Sequence, residues 1–277
     1  MKVYDPRPMT DKPHARFALP GHGLVTLEGR DAVAFSHAQF MSDVKSLDDG
    51  AWHWSGWLTP KGRVVALFAL LRRGPGSVWL VLPDADRESF ATALRTYVFR
   101  SKVVIATPDV AVSASFAVQP SGGTAALDMS GDGGPRTLFI GGEPAHGDLA
   151  ALARWTAADL AHGLPRLPAS QAGKWTPQQL SLERLRAFSV KKGCYPGQEI
   201  VARTHFLGQA KRGLVLLEGE VPLAAGADVH ADGQPIGTLV SAAGTLALAV
   251  LPLERAATLE ACGAPVRERP LLGGLAR

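Results

Sequence analysis

The chain has 277 residues and a formal net charge of +4, and 46% of its residues are hydrophobic. This composition predicts a sizeable buried core and excludes a chain that is disordered throughout. The mild basic excess comes without a basic stripe interleaved with aromatic residues, so direct nucleic-acid binding is not expected.

The chain opens with a segment rich in proline and charge, and residues 1–20 are therefore predicted to form an arm. GLVTLEG (23–29) predicts a strand that leads to Asp31. Asp31 is a predicted N-cap for a helix over about 32–41, because its side chain can accept a hydrogen bond from the first turn.

A group of strands is predicted next. The alternation of aromatic and small residues in AWHWSGWL (51–58) predicts a half-exposed strand, and TPKG (59–62) predicts a turn. RVVALFALL (63–71) is almost wholly apolar, as expected of a central strand buried on both faces. SVWLVL (77–82) is its predicted hairpin partner.

A second helix is predicted after Asp84, which is a candidate N-cap. The apolar residues that follow at helical spacing, and that predict packing on the sheet, are Phe90, Leu94, Tyr97 and Val98. KVVIAT and VAVSASFAV return to a strand pattern.

The stretch 120–147 is rich in glycine and predicts loops at a subdomain junction, with one strand at TLFI. LAALARWTAADLAHG (149–163) predicts a helix that Gly163 ends.

After Arg203 the pattern changes to short strands separated by glycine and proline turns, which is typical of a small barrel. The boundary is predicted near 207–212. We therefore predict an α+β fold with two domains, 1–207, itself made of two α+β subdomains, and a C-terminal β-barrel over 208–277.

Cys194 and Cys262 are the only two cysteines, and they lie far apart. They form no disulfide framework and no zinc pattern, and they cannot hold a four-cysteine iron–sulfur cluster. The first residues, MKVYDPRPMT, lack the apolar region that a signal peptide has. No apolar run reaches the length of about 18 residues that a membrane span needs. A cytoplasmic protein without a membrane span is expected.

Cys194 lies in KKGCYPGQEIVAR, where nearby positive charge from Lys191, Lys192 or Arg203 would lower the thiol pKa. The residue types allow two interpretations. Cys194 is either a working thiol on a shaped loop or a small buried residue in a tight turn.

Other features of the same stretch support a shaped loop. Gly193 and Gly197 would allow a sharp turn and a close approach to a ligand, and Glu199 could accept a hydrogen bond. His205 is near in sequence, but a Cys–His pair requires spatial evidence.

Outside this stretch the candidates are weaker. Trp155 precedes a helical stretch and a glycine where a pocket rim is possible, and tryptophan stacks well on flat heteroaromatic ligands. Packing in the core is the alternative for each of the six tryptophans. Four acidic residues are expected to be caps or solvated turn residues: Asp31, Asp43, Asp48 and Asp49. No nucleotide, metalloprotease or hydrolase motif is present.

FSVKKGCYPGQEIVART (188–204) closely resembles K-G-C-[FY]-x-G-Q-E, the signature of the YgfZ family of folate-binding proteins that help to maintain iron–sulfur enzymes. That family is related in fold to the aminomethyltransferases (T-proteins) of the glycine cleavage system. The likeness covers most of the chain, including the segments 29–47, 59–71, 97–105 and 232–251.

The resemblance implies several α+β units around a central folate cavity, closed by a C-terminal β-barrel. It implies tetrahydrofolate or a folate derivative as the cofactor. Trp155 matches a tryptophan of the family's folate pocket, and the family's second pocket tryptophan falls at about His22. The family's Glu-Ala-Gly is replaced here by Ala161, His162 and Gly163.

The resemblance also assigns roles within the motif. Cys194 is the candidate functional thiol, and Lys192 is its charge partner. The supporting residues are Gly193 and Gly197, which shape the loop, Gln198 and Glu199, which fix it by hydrogen bonds, and Tyr195. Cys262 has no motif and is expected to be structural.

One departure bears on catalysis. The transferases carry an acidic pair just after the turn that matches Lys61 and Gly62, whereas this chain has Val64, Val65 and Ala66. The carboxylate expected to act near the folate amine is missing.

The first hypothesis is therefore a folate-binding accessory factor for assembly or repair of [4Fe–4S] enzymes, including radical-SAM enzymes that modify tRNA. Its partners would be those enzymes or cluster carriers. A folate-dependent aminomethyltransferase or demethylase is the alternative, and a tRNA-binding module is a third.

Overall fold

The computed structural model describes residues 15–119, 124–208, 210–255 and 258–277. Two short 3-10 turns, Ala169–Gln171 and Leu182–Leu185, lie between the third and fourth helices. The elements before the barrel are β1 (Phe17–Ala18), β2 (Gly23–Glu28), α1 (Ala32–Gln39), β3 (Trp52–Leu58), β4 (Val64–Gly74), β5 (Ser77–Leu82), α2 (Arg87–Arg95), β6 (Val104–Ala106), β7 (Val112–Ser115), β8 (Ala125–Asp128), β9 (Thr137–Ile140), α3 (Leu149–Ala161) and α4 (Gln198–Leu207). The barrel strands are β10 (Arg212–Gly219), β11 (Asp228–Ala231), β12 (Gln234–Ala243), β13 (Leu246–Pro252), β14 (Leu259–Ala261) and β15 (Ala264–Arg269).

The first unit is an antiparallel sheet in the order β3-β4-β5-β2-β6, and β4 and β5 form the predicted hairpin. Successive side chains of β4 point to opposite faces of the sheet. Phe68 and Leu70 pack in one core cluster with Phe90 of α2, whereas Leu67 and Ala69 pack in a second, central cluster. This double burial explains why the sequence of β4 is almost wholly apolar.

The second unit is a four-stranded sheet in the order β1-β7-β9-β8. β1 lies inside the predicted arm over residues 1–20, so Phe17 and Ala18 are strand residues rather than part of an arm. The arm's first 14 residues lie outside the described residues. The predicted loop stretch 120–147 contains β8 as well as the expected strand β9.

The third unit is a closed six-stranded barrel in the order β10-β13-β12-β11-β14-β15. Its interior forms a separate core cluster that includes Leu217, Leu239 and Leu251. α4 ends at Leu207 and β10 begins at Arg212, on either side of the predicted boundary.

The three units share the central cluster. It joins Leu67 of β4 and Leu138 of β9 to Trp155 of α3, and it continues into the outer face of the barrel through Leu248. α3 packs against β12 and β13. Residues from all three units therefore meet at the centre of the molecule.

Helix ends differ from the sequence prediction in two places. Asp86, not Asp84, caps α2, because its Oδ2 accepts the Ser89 N–H at 2.7 Å. Asp31 stands at the start of α1, but its carboxylate accepts the Lys102 N–H at 2.6 Å instead of capping the helix. For Asp31 a tertiary partner, the Lys102 N–H, therefore takes the carboxylate that the sequence assigned to the helix cap.

Three further predictions are corrected in extent. β3 was expected to be half-exposed, but its last five residues are buried because Trp54 packs in the central cluster and Trp57 in the other. α2 ends at Arg95, so Tyr97 lies beyond it and is 45% exposed. α3 ends two residues earlier than predicted, and Gly163 follows it with a φ of +71°.

Within the described residues, no helix combines the length and the apolar character needed to cross a membrane. Those residues also contain no cluster of three or more His, Cys, Asp or Glu side chains that could hold a metal ion.

Candidate functional site: a clamped thiol loop and a closed central cavity

Cys194 is an exposed free cysteine on the loop between the second 3-10 turn and α4. The structure therefore does not place it in the interior, which removes the interpretation of a buried turn residue. The loop around it is held on two sides, first by α1 and then by the turn over residues 59–62.

The first anchor is the end of α1. The Ser189 N–H donates to the Met41 carbonyl at 2.8 Å. The Lys192 ammonium donates to the carbonyls of His37 and Phe40, which the helix leaves unpaired. A cation at a helix C-terminus also interacts favourably with the helix dipole.

Lys192 is buried, and burial lowers its pKa to about 8. Its ammonium also lies 4.7 Å from the centre of the Tyr195 ring. The hydrogen bonds of its ammonium go to the carbonyls at the end of α1, and the role of Lys192 as a charge partner of the thiol stays a prediction. Its role is to fasten the loop.

Tyr195 and Gln198 complete the inside of the loop. The Tyr195 hydroxyl donates to the Ser189 carbonyl at 3.1 Å, and burial raises the pKa of this phenol. Gln198 Nε2 donates to the Lys192 carbonyl at 3.1 Å. Glu199 is exposed, and its carboxylate has no hydrogen-bond partner among the described residues, so only Gln198 of the two predicted hydrogen-bonding residues bonds to the loop.

The second anchor is a pair of glycines. Gly197 has a φ of +77°, and a Cβ there would lie 2.6 Å from Gly62 Cα and 2.6 Å from the Thr59 carbonyl oxygen. Gly62 has a φ of +68°, and a Cβ there would lie 2.8 Å from Ile200 Cβ. The start of α4 therefore seats directly on the predicted turn, and neither glycine has room for a side chain.

Gly193 behaves differently from Gly197. Its φ lies outside the left-handed region, and a Cβ there would meet nothing within 4 Å. The fold of the chain does not require glycine at this position, which is next to the exposed thiol.

The loop thus presents a thiol to solvent on a fixed backbone. A thiolate is a nucleophile and a soft metal ligand. No described residue makes a hydrogen bond with the Cys194 thiol, and the exposed His205 ring instead contacts Phe206 at 4.9 Å between ring centres. A Cys–His pair is not formed.

A second candidate site lies in the central cluster, where Trp155 is fully buried on α3. Trp155 packs against Phe17 and Phe116, so it is a core residue and not a pocket rim. Its indole Nε1 has no hydrogen-bond partner. The Arg136 guanidinium lies 4.8 Å from the ring centre, and Arg136 Nε and Nη2 are also buried without partners.

His22 lies between two spaces. It lines an open cleft of about 600 Å³ together with Asp84 and Arg87, and it lines an inner cavity of about 10 Å³ together with Trp54 and Asp159. Burial and the nearby Arg166 hold the pKa of His22 well below its ordinary value, and its Nδ1 has no partner. His22 is therefore neutral at pH 7.

The sequence analysis missed a chain of buried ion pairs beside this cavity. Arg136 Nη1 lies 2.7 Å from Asp159 Oδ1, and Arg166 Nη1 lies 3.3 Å from Asp159 Oδ2. Arg166 Nε also donates to both oxygens of Asp84 at 2.9 Å. Asp84 and Arg136 lie far from Arg166 in the sequence, Asp159 lies seven positions before it, and no motif marks the four residues.

Three matches to known proteins bear on the family and the fold. A family model described as "CAF17, C-terminal beta-barrel domain" matches residues 211–270. The tRNA-modifying protein YgfZ of Escherichia fergusonii is 29% identical over 237 residues, which is 75% of this chain and 72% of that protein. The resemblance to the YgfZ family is confirmed.

The third match is a solved structure. The aminomethyltransferase T of the glycine cleavage system from Bartonella henselae superimposes with a TM-score of 0.68 over 93% of this chain and 86% of that one, at 17% identity. This likeness shows the fold. The predicted α+β, aminomethyltransferase-like fold class with a C-terminal β-barrel is confirmed.

The folate that the family resemblance implies can be tested against the central cavity. His22 Nδ1, which lies at this cavity, and the unpaired N–H groups of Trp155 and Arg136, which lie in the surrounding core, are polar atoms that suit a polar heteroaromatic ligand. The inner cavity is too small, because about 10 Å³ has room for about one water molecule and ligand pockets measure about 300–1,000 Å³. The open cleft of about 600 Å³ is large enough, but neither Trp155 nor Arg136 lines it. In this conformation the inner cavity has the unpaired Nδ1 of His22 at its wall but not the volume of a ligand site.

Proposed function

We propose that this protein is a folate-binding accessory factor that supports [4Fe–4S] enzymes, including radical-SAM enzymes that modify tRNA, and that Cys194 is its functional thiol. The observation that carries the proposal is the exposed Cys194 on a loop clamped by Lys192 and Gly197. The relative from E. fergusonii carries the name tRNA-modifying protein, which supports a role connected with tRNA modification.

The clamped loop suits a thiol that meets a second macromolecule. The thiol faces solvent, and the anchors at α1 and at Gly62 fix the backbone before any partner arrives. A fixed loop loses little conformational entropy on binding. We propose iron–sulfur enzymes or cluster carriers as the partners and the cytoplasm as the location.

The folate part of the proposal rests on the family resemblance and on the unpaired Nδ1 of His22, which lies at both the open cleft and the inner cavity. The alternative, a folate-dependent transferase, has less support, because positions 64–66 at the start of β4 carry only apolar side chains. Turnover of an aminomethyl or N-methyl donor with tetrahydrofolate would favour that alternative.

The test is complementation with a matched cysteine control. Cells that lack the gene receive wild type, Cys194→Ser or Cys262→Ser at equal protein levels, since both cysteines are exposed. The readouts are the activity of a [4Fe–4S] enzyme under oxidative stress and the amount of a tRNA modification made by a radical-SAM enzyme. We expect Cys262→Ser to match wild type and Cys194→Ser to fall to the level of cells without the gene. Full rescue by Cys194→Ser would refute the role of the thiol.

A further inference from the structure

Residues 270–277, the closing segment, leave the last barrel strand and cross the centre of the molecule. The Leu272 N–H donates to the Ala161 carbonyl at the end of α3 at 2.9 Å. Arg184 Nη2 donates to the Leu272 carbonyl at 2.9 Å. The segment is thus tied first to the end of α3 and to the second 3-10 turn.

The next residues bind the loop between β8 and β9. The Gly273 N–H donates to Asp132 Oδ2 at 2.9 Å, and the Asp132 N–H donates to the Gly273 carbonyl at 3.1 Å. Gly274 has a φ of +83°, and a Cβ there would lie 3.0 Å from Gly131 Cα. The two glycines let the segment lie directly on the loop backbone.

The last residues reach the first sheet. The Trp54 indole Nε1 donates to the Leu275 carbonyl at 2.9 Å. The Arg277 guanidinium donates to the carbonyls of Asp128 and Ser130 at 2.8 Å and lies 5.6 Å from the centre of the Trp52 ring. The segment therefore connects β3 to the loop after β8.

Leu275 is the buried side chain of the segment, with 2% of its surface exposed. It belongs to the same core cluster as Trp54, Met129, Leu138 and Leu164, which line the inner cavity of about 10 Å³. The unpaired Nδ1 of His22 lies at the same cavity. Leu275 therefore packs in the same cluster as the residues that line this cavity, where His22 Nδ1 is unpaired.

We propose that the closing segment is a built-in plug of the ligand cavity, and that folate binds only when Leu275 leaves the central cluster. This inference rests on the proposed function, since it takes a folate as the ligand. It explains why unpaired polar atoms lie near a cavity that is too small for a ligand, because this structure shows the closed state.

The contacts of the segment suit a reversible plug. They are hydrogen bonds, the buried Leu275 and the partly buried Leu271, whereas no barrel strand pairs with the segment. Segments with few buried apolar contacts open locally at low free-energy cost. When only the open fraction of molecules binds ligand, the apparent Kd rises in inverse proportion to that fraction.

The experiment uses the full-length chain and 5-formyltetrahydrofolate as the probe. Kd is measured by calorimetry for wild type, Leu275→Ala, Arg277→Gln and the control Leu253→Ala, whose side chain is 60% exposed on the barrel. We expect Leu275→Ala and Arg277→Gln to bind about tenfold more tightly than wild type, since both shift molecules to the open state. Leu253→Ala should match wild type.

Hydrogen exchange in wild type gives a second readout that does not depend on a variant. The amides of Leu272 and Gly273 are hydrogen-bonded in the closed state and should exchange at least about tenfold faster with the probe bound. If Leu275→Ala fails to fold, this measurement and Arg277→Gln decide the question.

The outcomes separate the plug from the folate proposal. Wild-type binding with unchanged exchange, and with no gain in affinity in the folded variants, would overturn the plug and leave folate binding intact. If neither wild type nor any folded variant binds the probe, folate binding itself fails and the plug inference fails with it.

Discussion

His53 belongs to a buried polar chain next to the thiol loop. Ser42 Oγ donates to Ser55 Oγ at 2.7 Å and lies 2.8 Å from His53 Nε2. Because the single hydroxyl proton of Ser42 goes to Ser55, the bond to His53 requires a proton on Nε2. Burial lowers the pKa of His53 to about 4, and the charge of Lys192 acts in the same direction. The histidine is therefore held neutral.

This arrangement predicts acid sensitivity. The pKa of His53 is about 4 in the folded chain against an ordinary value of 6.5, so the unfolded chain binds more protons between these pH values. The free energy of unfolding should fall as pH drops through this window, and His53 contributes up to about 3 kcal/mol to that fall. We expect His53→Gln to show a shallower loss, measured by urea unfolding between pH 4 and 7.

The control for this prediction is His205→Gln, since His205 is exposed. It should keep the wild-type dependence on pH. Equal slopes for His53→Gln and wild type would mean that other groups, such as the buried His22, account for the acid sensitivity.

At the scale of elements, the seating of α4 on the turn over residues 59–62 depends on Gly197. An alanine there would combine a left-handed backbone with contacts of 2.6 Å to Gly62 Cα and the Thr59 carbonyl oxygen. We expect Gly197→Ala to lower the free energy of unfolding by about 2 kcal/mol or more, measured by chemical denaturation.

Gly193→Ala is the matched control, four residues earlier in the same motif. A Cβ at Gly193 meets nothing within 4 Å, so this substitution should be neutral or stabilise the chain by less than about 1 kcal/mol. A loss of stability as large as that of Gly197→Ala would mean that the loop requires glycine at position 193.

The same elements show what the sequence could predict. The strands of the first sheet and the barrel follow from apolar alternation and turn residues, because these patterns report burial directly. The thiol loop followed from its motif. α4 was not predicted, because Val201 is its one buried residue and the helix has no apolar face.

Other missed features depend on partners that are distant in the chain. Lys192 binds carbonyls about 150 positions away, at His37 and Phe40, and a lysine beside a cysteine gives no sign of such a partner. Asp84 and Asp86 are equally good caps by residue type. Only the position of Arg166 determines that Asp84 forms an ion pair instead.

At the scale of the whole molecule, Arg166 links parts of the chain that no strand pairing joins. It holds Asp84, which follows β5 of the first sheet, and Asp159 of α3, which packs on the barrel. Asp159 in turn pairs with Arg136, next to β9 of the second sheet. The ion pairs therefore connect all three units around the cavity.

Removing Arg166 should be far more costly than removing a surface arginine. Arg166→Met would leave the Asp84 carboxylate, which is largely buried, without its cation, and breaking a buried pair in this way costs about 3–5 kcal/mol. Arg267→Met is the control, because its contact with Glu218 is exposed and worth less than about 1 kcal/mol. Both are measured by chemical denaturation at pH 7.

The double variant Asp84→Leu with Arg166→Met should recover part of the loss of stability, since it removes the unpaired carboxylate as well. If the double variant is less stable than Arg166→Met, the cost comes from lost packing around Arg166 rather than from the unpaired carboxylate.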